Sequence, residues 1–282
     1  MPAPGSDAPL QERLLALAQT LQFAWFAGSS HLTLIITTLR YSFSWLRMNY
    51  YGGMAVFCYR TSFVAAALTY GIVVYKTQKS RAKTGTQLPG GVIGLLGDEN
   101  IQYLLMALVW LIAPQYPLAL IPYCVYSTFN AATYVRANLL PVISPAPPAA
   151  DGASPRKTSS PLADRIGAFV KEYYDSSMSV VSGLEVLLWF RIVLSAILFQ
   201  RRSWILLGLY TTFLRARYAQ NSHVQTTFGQ LAVRIDSLVS AQGTPPVARQ
   251  IWDSVKNYTR QFRDATELSR YTGGAGPAKK TS

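Results

Sequence analysis

Apolar residues fall along this chain in blocks separated by short polar joints, and the blocks have the uniformity of membrane segments. The most uniform, Ile101–Tyr134, carries no charged side chain in 34 residues. Pro114, Pro117 and Pro122 break it into two arms. An uncharged apolar run of roughly 18 residues or more reads as membrane-embedded. Each arm alone is short for a straight crossing. The pattern therefore allows one kinked crossing with an interfacial tail, or a hairpin dipping into the bilayer. Two candidates precede it in the membrane region 21–136, at about 21–39 and 54–75. A second membrane region, 183–217, again sets two apolar arms, Gly183–Phe199 and Trp204–Leu214, on either side of Arg201 and Arg202. The prediction is an all-α fold: a polytopic integral membrane protein with kinked or hairpin-like membrane helices plus C-terminal amphipathic helices.

The polar parts divide as follows. Residues 1–20 read as a disordered N-terminus and a lead-in helix, whose stripe of leucines at positions 10, 14, 17 and 21 runs into the first membrane segment. Residues 137–182 hold a Pro/Ser-rich linker, which cannot pack a core, and an amphipathic segment. In the linker Ser144, Ser154 and Ser160 each precede a proline, and Ser154-Pro155-Arg156-Lys157 has the form that proline-directed kinases prefer. Regulated phosphorylation and an unmodified spacer both fit. Residues 218–271 read as cytosolic amphipathic helices and 272–282 as a disordered tail. The last helix is expected to start at Thr244 as N-cap, with Pro245 and Pro246 in its first turn. Val247, Ile251, Val255, Tyr258 and Phe262 then recur as one stripe with Trp252 beside it, and Arg249, Lys256, Arg260 and Arg263 lie off the stripe. A basic amphipathic helix of this kind lies in a membrane interface, its apolar side chains inserted and its cations on anionic headgroups or an acidic partner. The other reading packs the stripe against protein.

Composition agrees with the membrane class. Only 14% of the 282 residues are charged, against about 25% in soluble domains, and mean hydropathy is +0.17. The net charge of +13 is uneven: no acidic residue falls between Glu12 and Asp98, while Lys76, Lys79, Arg81 and Lys83 crowd one joint. Basic flanks are retained by the cytosolic leaflet at about 1 kcal/mol per Lys or Arg, which assigns Lys76–Lys83 to the cytosol. A nucleic-acid partner would call for a basic face on a soluble domain, and none is predicted. Arg40–Gly53, with Tyr41, Trp45, Tyr50 and Tyr51, reads as a headgroup-level connection. The N-terminus lacks the pattern of a removable signal peptide.

Catalytic chemistry is missing. Cys58 and Cys124 lie inside apolar blocks, without disulfide or metal spacing. No paired carboxylates, triad, Walker motif, GxSxG or HExxH occurs, so neither an enzyme nor a cofactor or metal is expected. Four polar residues inside apolar blocks need an account. His31 is expected to hydrogen-bond a neighbouring helix and Arg60 to snorkel to the interface. Glu185 and Arg191 are six residues apart and are not ideal neighbours on one helix face. The alternative function is a small channel or transporter whose polar path is lined by His31, Arg60, Glu185 and Arg191.

Tyr103–Leu105, Tyr116–Pro117 and Asn130-Ala131-Ala132-Thr133-Tyr134, in that order, resemble the central block of the transmembrane protein 33 family, whose fungal branch includes pore-membrane and perinuclear-ER proteins. Tyr210–Tyr218, ending in Leu214, Arg217 and Tyr218, resembles the family's second marker. The resemblance covers roughly residues 20–240, apart from the linker. It implies a non-enzymatic multi-pass protein of the endoplasmic reticulum membrane and nuclear envelope. Its implied work is ER tubule organisation and nuclear pore complex assembly or distribution, alongside reticulon-type proteins, nucleoporins and a nuclear transport receptor. From the residues alone, short hairpin-like arms and an interfacial helix favour curved membrane, which the protein would stabilise or sense.

Overall fold

The computed structural model describes residues 9–18, 30–84, 94–95, 97–143 and 161–267, and among them every regular element is helical. In order these are α1 (Leu10–Ala18), α2 (His31–Leu46), α3 (Gly53–Thr84), α4 (Glu99–Ile112), a 3-10 turn at Pro117–Ala119, α5 (Leu120–Tyr134), a π-helical turn at Val135–Leu139, α6 (Leu140–Ile143), α7 (Pro161–Ile197), α8 (Ser203–Gln220), α9 (Ser222–Ser240) and α10 (Pro246–Ala265). Helices α3 and α7 are long and apolar enough to cross a membrane. Packing divides the chain into two units, residues 1–70 with 107–184 and residues 71–106 with 185–282, so α3, α4 and α7 contribute to both.

The first unit is built around the proline turn. Pro114 has no N–H to offer the Trp110 carbonyl, so α4 stops at Ile112. Arg60 of α3 replaces the missing donor: its Nη1 lies 2.7 Å from the Trp110 oxygen and 2.6 Å from that of Leu111. Tyr59, its chain neighbour, accepts the Tyr116 N–H at 3.0 Å. Tyr41 Oη donates to Gln115 Oε1 at 3.3 Å. Arg60 therefore does not snorkel as expected. Two carbonyls orphaned by a proline in a low-dielectric setting are obligatory acceptors within its reach, and a headgroup is not needed.

An aromatic core surrounds this turn. Tyr59 meets Tyr41 at 5.1 Å and Phe63 at 5.0 Å between ring centroids, and Phe63 meets Tyr123 edge-on at 5.5 Å. Buried Ala65 and Ala66 supply no bulk, which lets helices approach closely. Helix α2 packs on α5, where His31 Nδ1 and Ser127 Oγ are 3.1 Å apart, the neighbouring-helix bond its position called for. Helix α2 also runs on to Leu46, past the end of its apolar block, so Arg40–Leu46 is helix rather than connection. Arg40 Nη1 donates to Ser44 Oγ at 2.6 Å, which ties the extra turn down. Met48, at φ 57°, then closes the helix as Asn49 N–H reaches back to the Ser44 carbonyl at 2.9 Å. Residues 21–29 of the predicted first segment lie outside the described residues.

In the second unit the later part of α7 pairs with α8. Leu188, Ile192, Leu206, Tyr210 and Phe213 are buried, whereas Leu187, Phe190, Leu194 and Leu209 are exposed. Apolar exposure on that scale is the lipid-facing pattern. Helix α7 is continuous through Ser182–Gly183, where the hydropathy changes. Its end repeats the α2 device: Phe199 takes φ 51° and Gln200 N–H reaches the Ser195 carbonyl at 3.0 Å. Arg201 and Arg202 form the tip, and α8 follows directly.

Candidate functional site

Two features of the second unit concentrate its chemistry. The first is a charge node. Glu185 on α7 and Arg217 on α8 are each 1% exposed. Glu185 Oε1 accepts the Tyr103 hydroxyl at 2.5 Å, and its Oε2 lies 3.4 Å from Arg217 Nε. Arg217 Nη1 pairs with Glu99 at the start of α4, and the guanidinium lies 5.1 Å from the centroid of the Tyr103 ring. Tyr210 donates to the Glu185 carbonyl at 3.1 Å. Glu99 also accepts Asn221 Nδ2 at 3.2 Å, while Asn221 Oδ1 caps α9 through the His223 and Val224 N–H groups. The node thus joins the starts of α4 and α9 to α7 and α8. Every charge in it faces an opposite charge or a hydrogen-bond donor, which suits it to hold helices rather than to react.

The second feature is a clasp between α9 and α10. Asp236 accepts Trp252 Nε1 at 2.6 Å and Lys256 Nζ at 3.0 Å, and Asp253 takes Lys256 at 3.2 Å. Arg249 Nε donates to the Val239 carbonyl at 3.2 Å, at the end of α9. Arg215 of α8 reaches Thr266 Oγ1 at 2.8 Å and the Arg263 carbonyl at 3.0 Å. Thr244 does not cap α10 as expected. Pro245 occupies the cap and Pro246 brings no N–H, so the Thr244 hydroxyl instead donates to Leu238 at 3.1 Å.

With one side of α10 held, the other is open. Val247, Ile251, Val255, Tyr258 and Phe262 share an exposed face, with Ile251 59% and Tyr258 72% exposed. Trp252 is half-buried and turned to Asp236, and Lys256 goes with it. Arg260 stays exposed, and Arg263 pairs with Asp264 at 3.1 Å. The residues of the predicted polar path have separate local partners. In the first unit His31 meets Ser127 and Arg60 caps α4. In the second, Glu185 is in the node and Arg191 bonds Ser195 Oγ at 2.6 Å. Ser144, Ser154 and Ser160 lie outside the described residues. Among those described, no group of three or more His, Cys, Asp or Glu could hold a metal. Sequence reasoning did not pair Glu185 with Arg217. The available signal was that a carboxylate inside an apolar arm needs a cation.

The clasp carries a pH dependence. The Trp252 N–H, then the Lys256 ammonium, hold the Asp236 carboxyl below the ordinary aspartate range. A depressed carboxylate contributes stability that is complete above its unfolded-state pKa and is lost as pH falls through the lower folded-state value. The hydrogen-exchange protection factors of α10, with the intrinsic rate divided out, should therefore be constant near neutrality and fall in acid below that range. In Asp236→Asn the acid-induced step should vanish; a step that survives the substitution would assign it to another group.

The lipid-facing helices, the membrane-length α3 and α7, and the node that holds charge away from lipid define a helical integral membrane protein. A family model described as Transmembrane protein 33/Nucleoporin POM33 matches residues 8–264, and the chain belongs to that family. It is 58% identical to "Nucleoporin POM33" of Chaetomium thermophilum over 100% of this chain and 99% of the relative. It is 30% identical to the "Pore membrane protein of 33 kDa" of Saccharomyces cerevisiae, over 90% and 87% of the two chains. With that yeast's "Pore and endoplasmic reticulum protein of 33 kDa" it shares 25% identity over 84% and 88%. None of these names is that of an enzyme. No solved structure matches the chain.

Proposed function

We propose that the protein acts without catalysis in the endoplasmic reticulum membrane and nuclear envelope. There it stabilises or senses curved membrane and supports ER tubule organisation and the assembly or distribution of nuclear pore complexes. The observation that carries this reading is the open apolar face of α10, held outward by the Asp236 clasp. A face of this kind beside Arg260 and Arg263 fits the boundary between headgroups and acyl chains. The pore and ER names of the relatives support the location. The family resemblance supports reticulon-type proteins, nucleoporins and a transport receptor as partners.

The test uses the full chain in vesicles, with Cys58 and Cys124 replaced and an environment-sensitive fluorophore on Val255→Cys. The label should report an apolar setting, more strongly in small vesicles than in large ones. Each inserted apolar side chain is worth about 1.5–3 kcal/mol, so adding Ile251→Asp and Phe262→Asp should return the label to water. A label equally buried in that variant would refute lipid insertion and favour docking on protein.

A further inference from the structure

Helix α3 turns abruptly from apolar to basic after Tyr75, and this basic end has a feature that positive charge alone does not explain. Gln78 Nε2 and Arg81 Nη1 are both shut off from solvent, and neither has a hydrogen-bond partner. Three residues apart, the two side chains share one face of the helix. A buried N–H without an acceptor costs free energy comparable to a lost hydrogen bond, so two on one face ask for an acceptor from outside the chain. The surrounding charge specifies its sign. Lys76, Lys79 and Lys83 flank the pair, and Lys79 Nζ stands 5.6 Å from the Tyr75 ring centroid. The facing acid is Asp98, whose Oδ2 lies 3.6 Å from Arg81 Nη2. Its Oδ1 is engaged at the start of α4 by the Asn100 N–H at 2.9 Å. Asp98 therefore satisfies one arm of the Arg81 fork and leaves the other.

We propose that this end of α3 binds the phosphate of an anionic phospholipid, the flexible ends of Gln78 and the partly exposed Arg81 turning outward to donate to its oxygens. An arginine fork beside an amide matches the several acceptors of a phosphate better than a single carboxylate. The height along the helix selects a lipid. The pair lies just beyond the apolar stretch of a membrane-length helix, where headgroups are, and Tyr75 below it is exposed to flank an acyl chain. The site belongs to α3 and α4, is separate from the α10 face, and does not depend on what that face does.

The experiment measures lipid retention by native mass spectrometry on the full-length protein from nanodiscs of phosphatidylcholine with a minor share of phosphatidylserine or a phosphoinositide. Wild type should keep the anionic lipid in preference to phosphatidylcholine. Arg81→Gln should weaken retention about tenfold or more, the effect of losing a charge-assisted hydrogen bond. Gln78→Leu changes no charge and leaves the Asp98 pair intact, so it should also weaken retention and serves if the arginine variant fails to fold. Asp98→Asn should strengthen retention, because it removes the competing anion while an oxygen remains for the Asn100 N–H. Retention unchanged in Gln78→Leu, or lowered in Asp98→Asn, would overturn the proposal. Displacement of the lipid by millimolar inorganic phosphate would reassign the site to a soluble phosphate, whereas resistance to it supports the lipid.

Discussion

Arg217→Met is expected to destabilise the reconstituted protein by about 3–5 kcal/mol, the cost of breaking a buried ion pair from one side. The substitution leaves the Glu185 carboxylate 1% exposed with no cation beside it. It also strips Glu99, at the start of α4, of its cation, leaving it the Asn221 amide. The double variant Arg217→Met, Glu185→Met removes the charge as well as its partner, and replacing a buried pair by apolar residues is often neutral. It should recover most of the loss. Unfolding midpoints in a graded denaturing detergent would show this. A double variant no more stable than Arg217→Met would mean that the two charges are not energetically coupled. Because Asn221 links Glu99 to the cap of α9, the single variant should also loosen the start of α9 in hydrogen exchange.

The second large effect belongs to the proline turn. Arg60→Met removes the donor serving the Trp110 and Leu111 carbonyls, at about 1–3 kcal/mol for each buried acceptor left alone. Pro114→Ala should partly rescue it, because alanine at 114 restores an N–H to the Trp110 carbonyl. If the same unfolding assay shows no rescue, the capping account fails. Tyr59→Phe, which removes one acceptor for the Tyr116 N–H, should cost less than Arg60→Met.

What the sequence made legible follows the physics of each signal. Lipid-facing helices are apolar all round, so the blocks stand out in hydropathy, and Pro114–Pro117 marks a turn because proline lacks a donor. The open stripe of α10 was visible in its helical spacing, and the structure exposes five of its residues on one face. Helix continuity was less legible. Hydropathy records the surroundings of a residue, not its backbone, so α7 passes unbroken through Ser182–Gly183 and α2 runs beyond Leu39. Non-local pairing was not legible at all. Glu185 and Arg217 are 32 residues apart, and nothing in either one's neighbourhood names the other. Trp252 illustrates the same limit: it belongs beside the stripe by spacing, but Asp236, sixteen residues earlier, decides which way it turns.

The distance between the hairpin tip and the charge node has a further meaning. From Ser203, next to the arginine tip, to Arg217 in the node, α8 rises about 21 Å at 1.5 Å per residue. Bilayer hydrocarbon averages about 30 Å, with the ER a few Å thinner and the sterol-rich plasma membrane a few Å thicker. An apolar length that short is met by snorkelling, oligomerisation or local thinning of the bilayer, each at lowest cost where the lipid is already thin. A crossing by α8 would therefore favour the ER and the nuclear membranes continuous with it over thicker membranes.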